Sequence, residues 1–155
     1  MRVGFDDTHI RFCPMQIRLV IADDHDEIRE NVKAFLRKWP DIYVIGEAKD
    51  GKAAVEIVKK LSPDIMLLDI NMPRLNGIEA ARNIIQNNPQ TRIVILSAYS
   101  DQTYVKAGLQ AGISGYVLKS FISVDLIPAL HTVMANQLFL SPQIADALPP
   151  SHPRQ

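Results

Sequence analysis

Ile65-Met66-Leu67-Leu68-Asp69 is an uninterrupted apolar run that ends on a carboxylate. Other short apolar runs occupy residues 17–21, 42–45, 93–96 and 116–118. Three of the five runs are nearly continuous in Ile, Val, Leu and Met, which is typical of strands covered on both faces in a parallel sheet. The sequence therefore predicts five β-strands, with helices packed against the sheet.

Segments with helical spacing separate these runs. The clearest one places five apolar side chains on a single helix face: Ile28, Val32, Phe35, Leu36 and Trp39. Similar stripes occur at 54–61, 78–85 and 127–134, with Asn76 as a candidate N-cap for the second of these. Pro128 fits the last helix only in its first turn, where a missing N–H loses no partner. The weakest helical pattern lies around 105–110.

Strands and helices that alternate with short connections imply right-handed βαβ crossovers. We therefore expect a doubly wound α/β fold, a (βα)5 flavodoxin-like three-layer sandwich with a parallel five-stranded sheet in the order 2-1-3-4-5. The chain has 155 residues, 47% of them hydrophobic, which is enough for one core. We assign residues 16–136 to this domain, residues 1–15 to a flexible leader, and residues 137–155 to a C-terminal extension and proline-rich linker.

The charge balance excludes a nucleic-acid-binding surface on the chain as a whole. Basic and acidic residues both number 17, so the basic excess typical of such surfaces is missing. The single cysteine, Cys13, cannot form an intrachain disulfide, and no long apolar span or signal segment is present. We expect a cytoplasmic protein that does not contact a membrane.

Polar side chains follow four of the five predicted strands where those strands end. They are Asp23 and Asp24, Asp69, Ser97 and Lys119. Ligands of doubly wound sheets bind beyond the carboxyl ends of the strands, so the fold would bring all five side chains to one edge of the sheet. This edge is the candidate functional site.

Three carboxylates beside one lysine leave a negative cluster whose natural partner is a divalent cation. Oxygen ligands favour Mg²⁺, with Mn²⁺ as a substitute, and Mg²⁺ commonly combines carboxylates with phosphate oxygens. A carboxylate such as Asp69 can accept a phosphoryl group as an aspartyl phosphate. Lys119 and the cation would stabilise charge on the phosphoryl oxygens, and the Ser97 hydroxyl would donate to one of them. Asp69, Lys119 and Ser97 are therefore the candidate catalytic residues.

These residues resemble the receiver domains of two-component response regulators, over residues 17–136. The resemblance is carried by four motifs: Val20-Ile21-Ala22-Asp23-Asp24-His25, residues 63–73 with Asn76-Gly77, Leu96-Ser97-Ala98, and Gly115-Tyr116-Val117-Leu118-Lys119.

The resemblance implies that Asp69 accepts a phosphoryl group from the phosphohistidine of a sensor histidine kinase. It also implies that Asp24, Asp69 and the backbone carbonyl of Asn71 bind Mg²⁺, that Asp23 reaches the metal through water, and that Lys119 binds the phosphoryl group. Receivers of this kind are not enzymes that act on an outside substrate. They catalyse only their own phosphorylation and slow dephosphorylation.

The family's conformational switch maps onto Ser97 and Tyr116. The resemblance implies that Ser97 swings toward phosphorylated Asp69 and that Tyr116 follows inward. The surface formed by the fourth helix, fifth strand and fifth helix then changes shape, and homodimers can form. This is a two-state equilibrium biased by contacts that only the phosphorylated state makes.

Within the family, the chain is similar to NarL/FixJ-type transcription regulators. The similarity rests on residues 22–25, on Lys119-Ser120, and on the tail Leu138-Phe139-Leu140-Ser141-Pro142. Such regulators bind DNA through a helix-turn-helix output domain, which we expect to be absent from this chain. A stand-alone receiver is the alternative.

Other functions fit the residues less well. An aspartyl-phosphate phosphohydrolase of the haloacid-dehalogenase type requires a second Asp two residues after the nucleophile, and Asn71 cannot exchange a proton in that role. A flavodoxin-like electron carrier requires a phosphate-binding loop after the first strand, where Asp23 and Asp24 would repel phosphate. A degenerate receiver is disfavoured because all five site residues are present. His25 is interpreted as a helix-start residue and left out of the metal set.

Overall fold

A computed structural model describes residues 16–148. Six parallel strands form one sheet in the order β2-β1-β3-β4-β5-β6. The strands are β1 (Ile17–Ala22), β2 (Ile42–Ala48), β3 (Ile65–Leu68), β4 (Arg92–Ser97), β5 (Gly115–Leu118) and β6 (Phe139–Leu140). The helices are α1 (Asp26–Leu36), α2 (Gly51–Leu61), α3 (Gly77–Asn87), α4 (Gln102–Ala111), α5 (Ile122–Met134) and α6 (Pro142–Ala147).

The sheet separates two apolar layers. In β3, Ile65 and Leu67 face the layer that contains α1 and α5, whereas Met66 and Leu68 face the layer that contains α2, α3 and α4. All four side chains are buried, and each contributes roughly 1.5–3 kcal/mol to folding. The doubly wound three-layer sandwich predicted from these apolar runs is confirmed.

Side-chain caps begin three of the helices. Asn76 accepts a hydrogen bond from Glu79 N–H at the start of α3, as the sequence predicts. Asp50 accepts from Ala53 N–H before α2, and Asp101 accepts from Thr103 N–H before α4. The last cap fixes the start of the helix with the weakest sequence signal.

The position expected for Pro128 is wrong. The 3₁₀ turn Lys119–Phe121 leads directly into α5, so this helix begins at Ile122 and Pro128 lies in its interior. The ring of Pro128 removes the N–H that would bond to the carbonyl of Val124. Val124 is 65% exposed, so water can reach this turn of the helix and satisfy that carbonyl.

The sheet has six strands where the sequence predicts five. Phe139 pairs with Gly115, and Leu140 pairs with Tyr116, in a two-residue strand too short to show a period of its own. Ile144 of α6 is 1% exposed and packs into the layer that contains α4. The part of the expected C-terminal extension up to residue 148 therefore packs against the sheet. The predicted leader (1–15) and the proline-rich residues 149–155 lie outside the described range.

None of the helices between residues 16 and 148 has the length and apolar character that crossing a bilayer requires.

Candidate functional site

The acidic residues meet at the carboxyl edge of the sheet. Asp69 directly follows β3, and its N–H donates to the carbonyl of Ala22 (3.0 Å). Asp23 follows β1, and its N–H donates to the carbonyl of Ala48 (3.1 Å). Asp23 and Asp69 are buried, whereas Asp24 is exposed. Their carboxylates and His25 each offer an atom within 4.8 Å of the others, a cluster that could hold a metal ion.

Lys119 joins this cluster from the end of β5. Its Nζ lies 2.8 Å from Asp23 Oδ2 and 3.4 Å from Asp69 Oδ1. Burial lowers the pKa of Lys119, but the hydrogen bond to Asp23 and the charge of Asp69 outweigh it, so the net pKa is raised. Lys119 therefore stays protonated and links two of the three carboxylates.

Asp69 is the carboxylate that its surroundings perturb most clearly. Its burial raises the pKa, Lys119 lowers it, and the neighbouring charge of Asp23 raises it again, to about 6. An ordinary Asp has a pKa close to 4. A divalent cation would oppose the repulsion and favour the ionised form, so metal binding and deprotonation of Asp69 are coupled.

Metal affinity is accordingly expected to depend on pH. As the pH falls from about 7.5 to about 5, protonation of Asp69 competes with the cation, and the apparent affinity for Mg²⁺ decreases. Calorimetric titrations in two buffers of different ionisation enthalpy should show proton release near pH 6. Asp69→Asn removes the titrating carboxyl group, so this variant should lose the part of the release that comes from Asp69. An affinity that stays constant over the range would contradict the coupling.

His25 contacts the acidic pair, although its sequence position indicates only a helix start. His25 is the N-cap residue of α1, and its Nδ1 lies 3.0 Å from Asp23 Oδ1 and 3.1 Å from Asp24 Oδ1. The hydrogen bond to Asp23 and the charges of both acids raise the pKa of His25. Protonated His25 and a metal cation would compete for the same carboxylates.

Arg29 is a buried basic residue next to the acidic cluster, and the sequence analysis did not select it. Its Nη1 donates to the carbonyl of Asp23 (2.6 Å), its Nε donates to Glu47 Oε1 (2.9 Å), and its Nη2 pairs with Asp26. These bonds tie the acidic loop to α1 and β2. Arg29 precedes Val32 by three residues and thus lies beside the apolar stripe of the helix. A charged residue beside an apolar helix stripe was the signal in the sequence that could have identified Arg29.

Arg29→Ala is expected to weaken Mg²⁺ binding roughly tenfold, the usual effect of removing a group that orients metal ligands. The loop that carries Asp23 and Asp24 would lose its anchor, even though removal of a positive charge by itself favours a cation. Calorimetry measures the affinity. Arg82→Ala is the matched control, because Arg82 forms an exposed pair with Glu79 within α3. Equal affinities in the two variants would show that Arg29 does not order the loop.

Ser97 and Tyr116 meet through the backbone of Tyr99. Ser97 Oγ accepts from Tyr99 N–H (2.9 Å), and Tyr116 OH donates to the carbonyl of Tyr99 (2.7 Å). Both predicted switch residues are fully buried, and burial raises the pKa of Tyr116. The ring expected to move inward on phosphorylation already lies inside in this structure.

Asn71 also contacts Tyr99. Asn71 follows Asp69 by two residues in the loop after β3, and its side-chain amide donates to Tyr99 OH (3.0 Å). Tyr99, which the sequence interpretation did not select, therefore connects the loop that carries Asn71 with Ser97 and Tyr116. The signal for Tyr99 was weak, because it is one partly exposed aromatic residue in a loop.

Gly77 packs directly against the peptide of Asp69. Its N–H donates to the carbonyl of Ile70 (2.8 Å), and a Cβ at this position would lie 2.1 Å from the Asp69 carbonyl oxygen. Gly77 therefore contributes to the packing of the site as well as to the turn before α3. Only a residue without a side chain allows α3 to begin so close to the site.

Comparison with known proteins places this site in a family. The sequence pattern of the response regulator receiver domain matches residues 19–131, and the chain belongs to this family. The resemblance to response-regulator receivers is thus confirmed. An electron carrier or a haloacid-dehalogenase-type hydrolase is correspondingly disfavoured.

Within the family, the chain resembles transcription regulators of the NarL and LuxR type, as its sequence predicts. It is 41% identical over 133 residues to transcriptional regulatory protein DegU of Brevibacillus brevis, covering 86% of this chain and 56% of DegU. It is 36% identical over 130 residues to the nitrate/nitrite response regulator NarL of Escherichia coli K12, covering 84% of this chain and 60% of NarL. The chain thus spans little more than half of these relatives.

Solved structures give the same assignment. A LuxR-family two-component response regulator from Aurantimonas sp. SI85-9A1 superposes with a TM-score of 0.81 at 32% identity, covering 84% of this chain and 94% of that one. The isolated REC domain of RcsB from Salmonella enterica serovar Typhimurium, solved with the phosphomimetic BeF3-, gives a TM-score of 0.80 at 26% identity, covering 86% and 99%.

Proposed function

We propose that this receiver domain accepts a phosphoryl group from a sensor histidine kinase on Asp69, in a Mg²⁺-dependent reaction that controls signalling. The observation that carries the proposal is the convergence of Lys119 Nζ with Asp23 and Asp69 beside exposed Asp24. A buried, ionisable carboxylate next to a fixed cation is suited to nucleophilic attack on a phosphoryl group.

The transfer exchanges one bond to phosphorus for another. An Asp69 carboxylate oxygen attacks in line, the phosphorus–nitrogen bond to the kinase histidine breaks, and the imidazole keeps the electron pair. Lys119 then exchanges part of its pairing with Asp69 for a phosphoryl oxygen. A bound Mg²⁺, or Mn²⁺ in its place, supplies positive charge to those oxygens. The chain has no outside substrate and turns over only its own phosphoryl group.

The contacts of Asp23 support an indirect role in metal binding. One oxygen, Oδ1, accepts from His25 N–H (2.9 Å), and the other, Oδ2, pairs with Lys119 (2.8 Å). Both oxygens are engaged, which favours water between Asp23 and the cation. Asp24, Asp69 and the backbone carbonyl of Asn71 are the proposed direct ligands.

The proposed output is a change in the surface formed by α4, β5 and α5. A phosphoryl group on Asp69 would attract the Ser97 hydroxyl, which now accepts from Tyr99 N–H, and would thereby shift the loop that also binds Tyr116. The altered surface would favour a homodimer. Because relatives such as DegU are transcriptional regulators, we place this receiver in a cytoplasmic DNA-binding regulator, with the DNA bound by an output module other than residues 16–148. A stand-alone receiver is the alternative.

Intact-mass measurement with acetyl phosphate tests the proposal. One added phosphoryl group is expected with Mg²⁺ and none with a chelator present. Asp24→Ala should slow labelling at limiting Mg²⁺ by roughly tenfold or more, through loss of a metal ligand. Glu56→Ala removes one exposed carboxylate from α2 and should label like the parent chain. Metal-independent labelling, or sustained turnover of phosphate esters, would contradict the proposal.

A further inference from the structure

A buried polar link joins the C-terminal segment to the end of β5. Ser141, between β6 and α6, donates through Oγ to Asp125 Oδ2 (2.8 Å) and accepts from Leu118 N–H (3.1 Å). Ser141 is 0% exposed and Asp125 is 5% exposed. Polar groups are costly to bury unless they are hydrogen-bonded, so these three groups depend on one another.

Because β6 is short, a side chain accepts the N–H of Leu118 in place of a backbone carbonyl. The last pair between the two strands joins Tyr116 to Leu140, and Ser141 N–H donates to the Tyr116 carbonyl (2.9 Å). The chain then turns into α6, so no further β6 carbonyl accepts the N–H of Leu118. The Ser141 hydroxyl is the acceptor at that position.

The link encloses the turn that carries Lys119. Leu118 directly precedes Lys119, and Asp125 lies in the first turn of the helix that follows the 3₁₀ turn Lys119–Phe121. Ser141 therefore bonds to the chain on both sides of Lys119. The two hydrogen bonds therefore restrain the backbone on both sides of Lys119.

We propose that Ser141 and Asp125 are positioning residues that hold Lys119 against Asp23 and Asp69. The C-terminal segment does not need the Ser141–Asp125 hydrogen bond in order to pack, because apolar Ile144 already fixes the same segment in the core. The hydroxyl and the carboxylate add a directional constraint on the end of β5. The consequence for phosphoryl binding rests on the function proposed above. The placement of Lys119 does not.

Lysine acetylation followed by peptide mass spectrometry tests the placement in the full chain. Ser141→Ala should raise the labelling of Lys119 several-fold relative to exposed Lys59. Without the Ser141 hydroxyl, the backbone at Lys119 is held less firmly, so its ammonium group leaves its ion pairs more often. Asp125→Ala should do the same, whereas Asp125→Asn keeps an oxygen that can accept from Ser141 and should label like the parent. Circular dichroism verifies that each variant is folded.

Ile144→Ala is the matched control, since it loosens the same segment and leaves the polar link in place. Its Lys119 labelling should stay close to that of the parent chain. If Ser141→Ala leaves Lys119 labelling unchanged, or if Ile144→Ala raises it equally, the positioning role is overturned.

Beryllofluoride binding with Mg²⁺ tests the functional consequence. Ser141→Ala should weaken binding of this phosphoryl mimic roughly tenfold, and it should have little further effect in a Lys119→Ala background, because residues that act through one another are not additive. Additive losses would overturn the role. If the parent chain binds no beryllofluoride, the proposed function fails, and the acetylation result alone decides the placement of Lys119.

Discussion

Asp69→Asn is expected to abolish phosphoryl incorporation from acetyl phosphate, with the rate falling at least about a thousandfold. The amide has no anionic oxygen to attack phosphorus, and the site would lose one of the proposed metal ligands. Folding should not suffer. Burial raises the pKa of Asp69, so without a metal the ionised side chain is unfavourable, and a neutral replacement of the same shape should melt at an equal or higher temperature.

Asp64→Asn is the matched control for this substitution. Asp64 precedes β3 as Asp69 follows it, and its Oδ2 accepts from Arg18 N–H (2.9 Å), a bond that an amide oxygen preserves. Intact-mass spectra should show the Asp64 variant labelled like the parent and the Asp69 variant unlabelled. If Asp69→Asn is labelled as fast as the parent, the acceptor is another carboxylate of the cluster.

Gly77→Ala is expected to lower the free energy of unfolding by roughly 3 kcal/mol, at the upper end of the usual cost of overpacking. The new methyl group would lie 2.1 Å from the Asp69 carbonyl oxygen and 2.8 Å from Ile70 Cα. Both atoms are backbone, so relief requires the chain itself to move. Because the displaced peptide belongs to the proposed phosphoacceptor, Mg²⁺ affinity should fall as well.

Gly46→Ala separates this effect from the general cost of adding a methyl group. A Cβ at Gly46 would also lie close to its neighbours, but those are the ends of flexible side chains, with Ile57 Cδ1 at 2.6 Å. Urea unfolding should give a smaller loss for Gly46→Ala and unchanged Mg²⁺ affinity. Equal losses of unfolding free energy would mean that the contact with the backbone of Asp69 and Ile70 costs no more than a contact with a flexible side chain.

The sequence predicts the central sheet and the acidic edge well, for a physical reason. Strands buried on both faces must be apolar throughout, so runs such as Ile65–Leu68 stand out without any knowledge of their neighbours. The carboxyl ends of parallel strands share one edge. The meeting of Asp23, Asp69 and Lys119 therefore follows from their positions after those strands.

The features that the sequence did not predict depend on partners distant along the chain. The two-residue strand β6 pairs with the edge of β5, and Arg29 of helix α1 is buried with a hydrogen bond to Glu47 of strand β2. Pro128 was expected in a first turn because a proline loses no hydrogen bond there, and the 3₁₀ turn Lys119–Phe121 that leads into the helix has no periodic signature. Local sequence patterns do not reveal contacts of this kind, because those contacts form only when distant parts of the chain pack together.

Parallel pairing with β6 also shields the outer side of β5. Over residues 16–148, β2 and the two-residue β6 are the strands left at the margins of the sheet. A fragment that stopped at Asn136 would uncover the hydrogen-bonding groups of β5 together with the apolar hollow that Ile144 fills. Bare strand margins recruit other chains. Purified preparations that keep Phe139–Ala147 should consequently resist aggregation better than shorter ones.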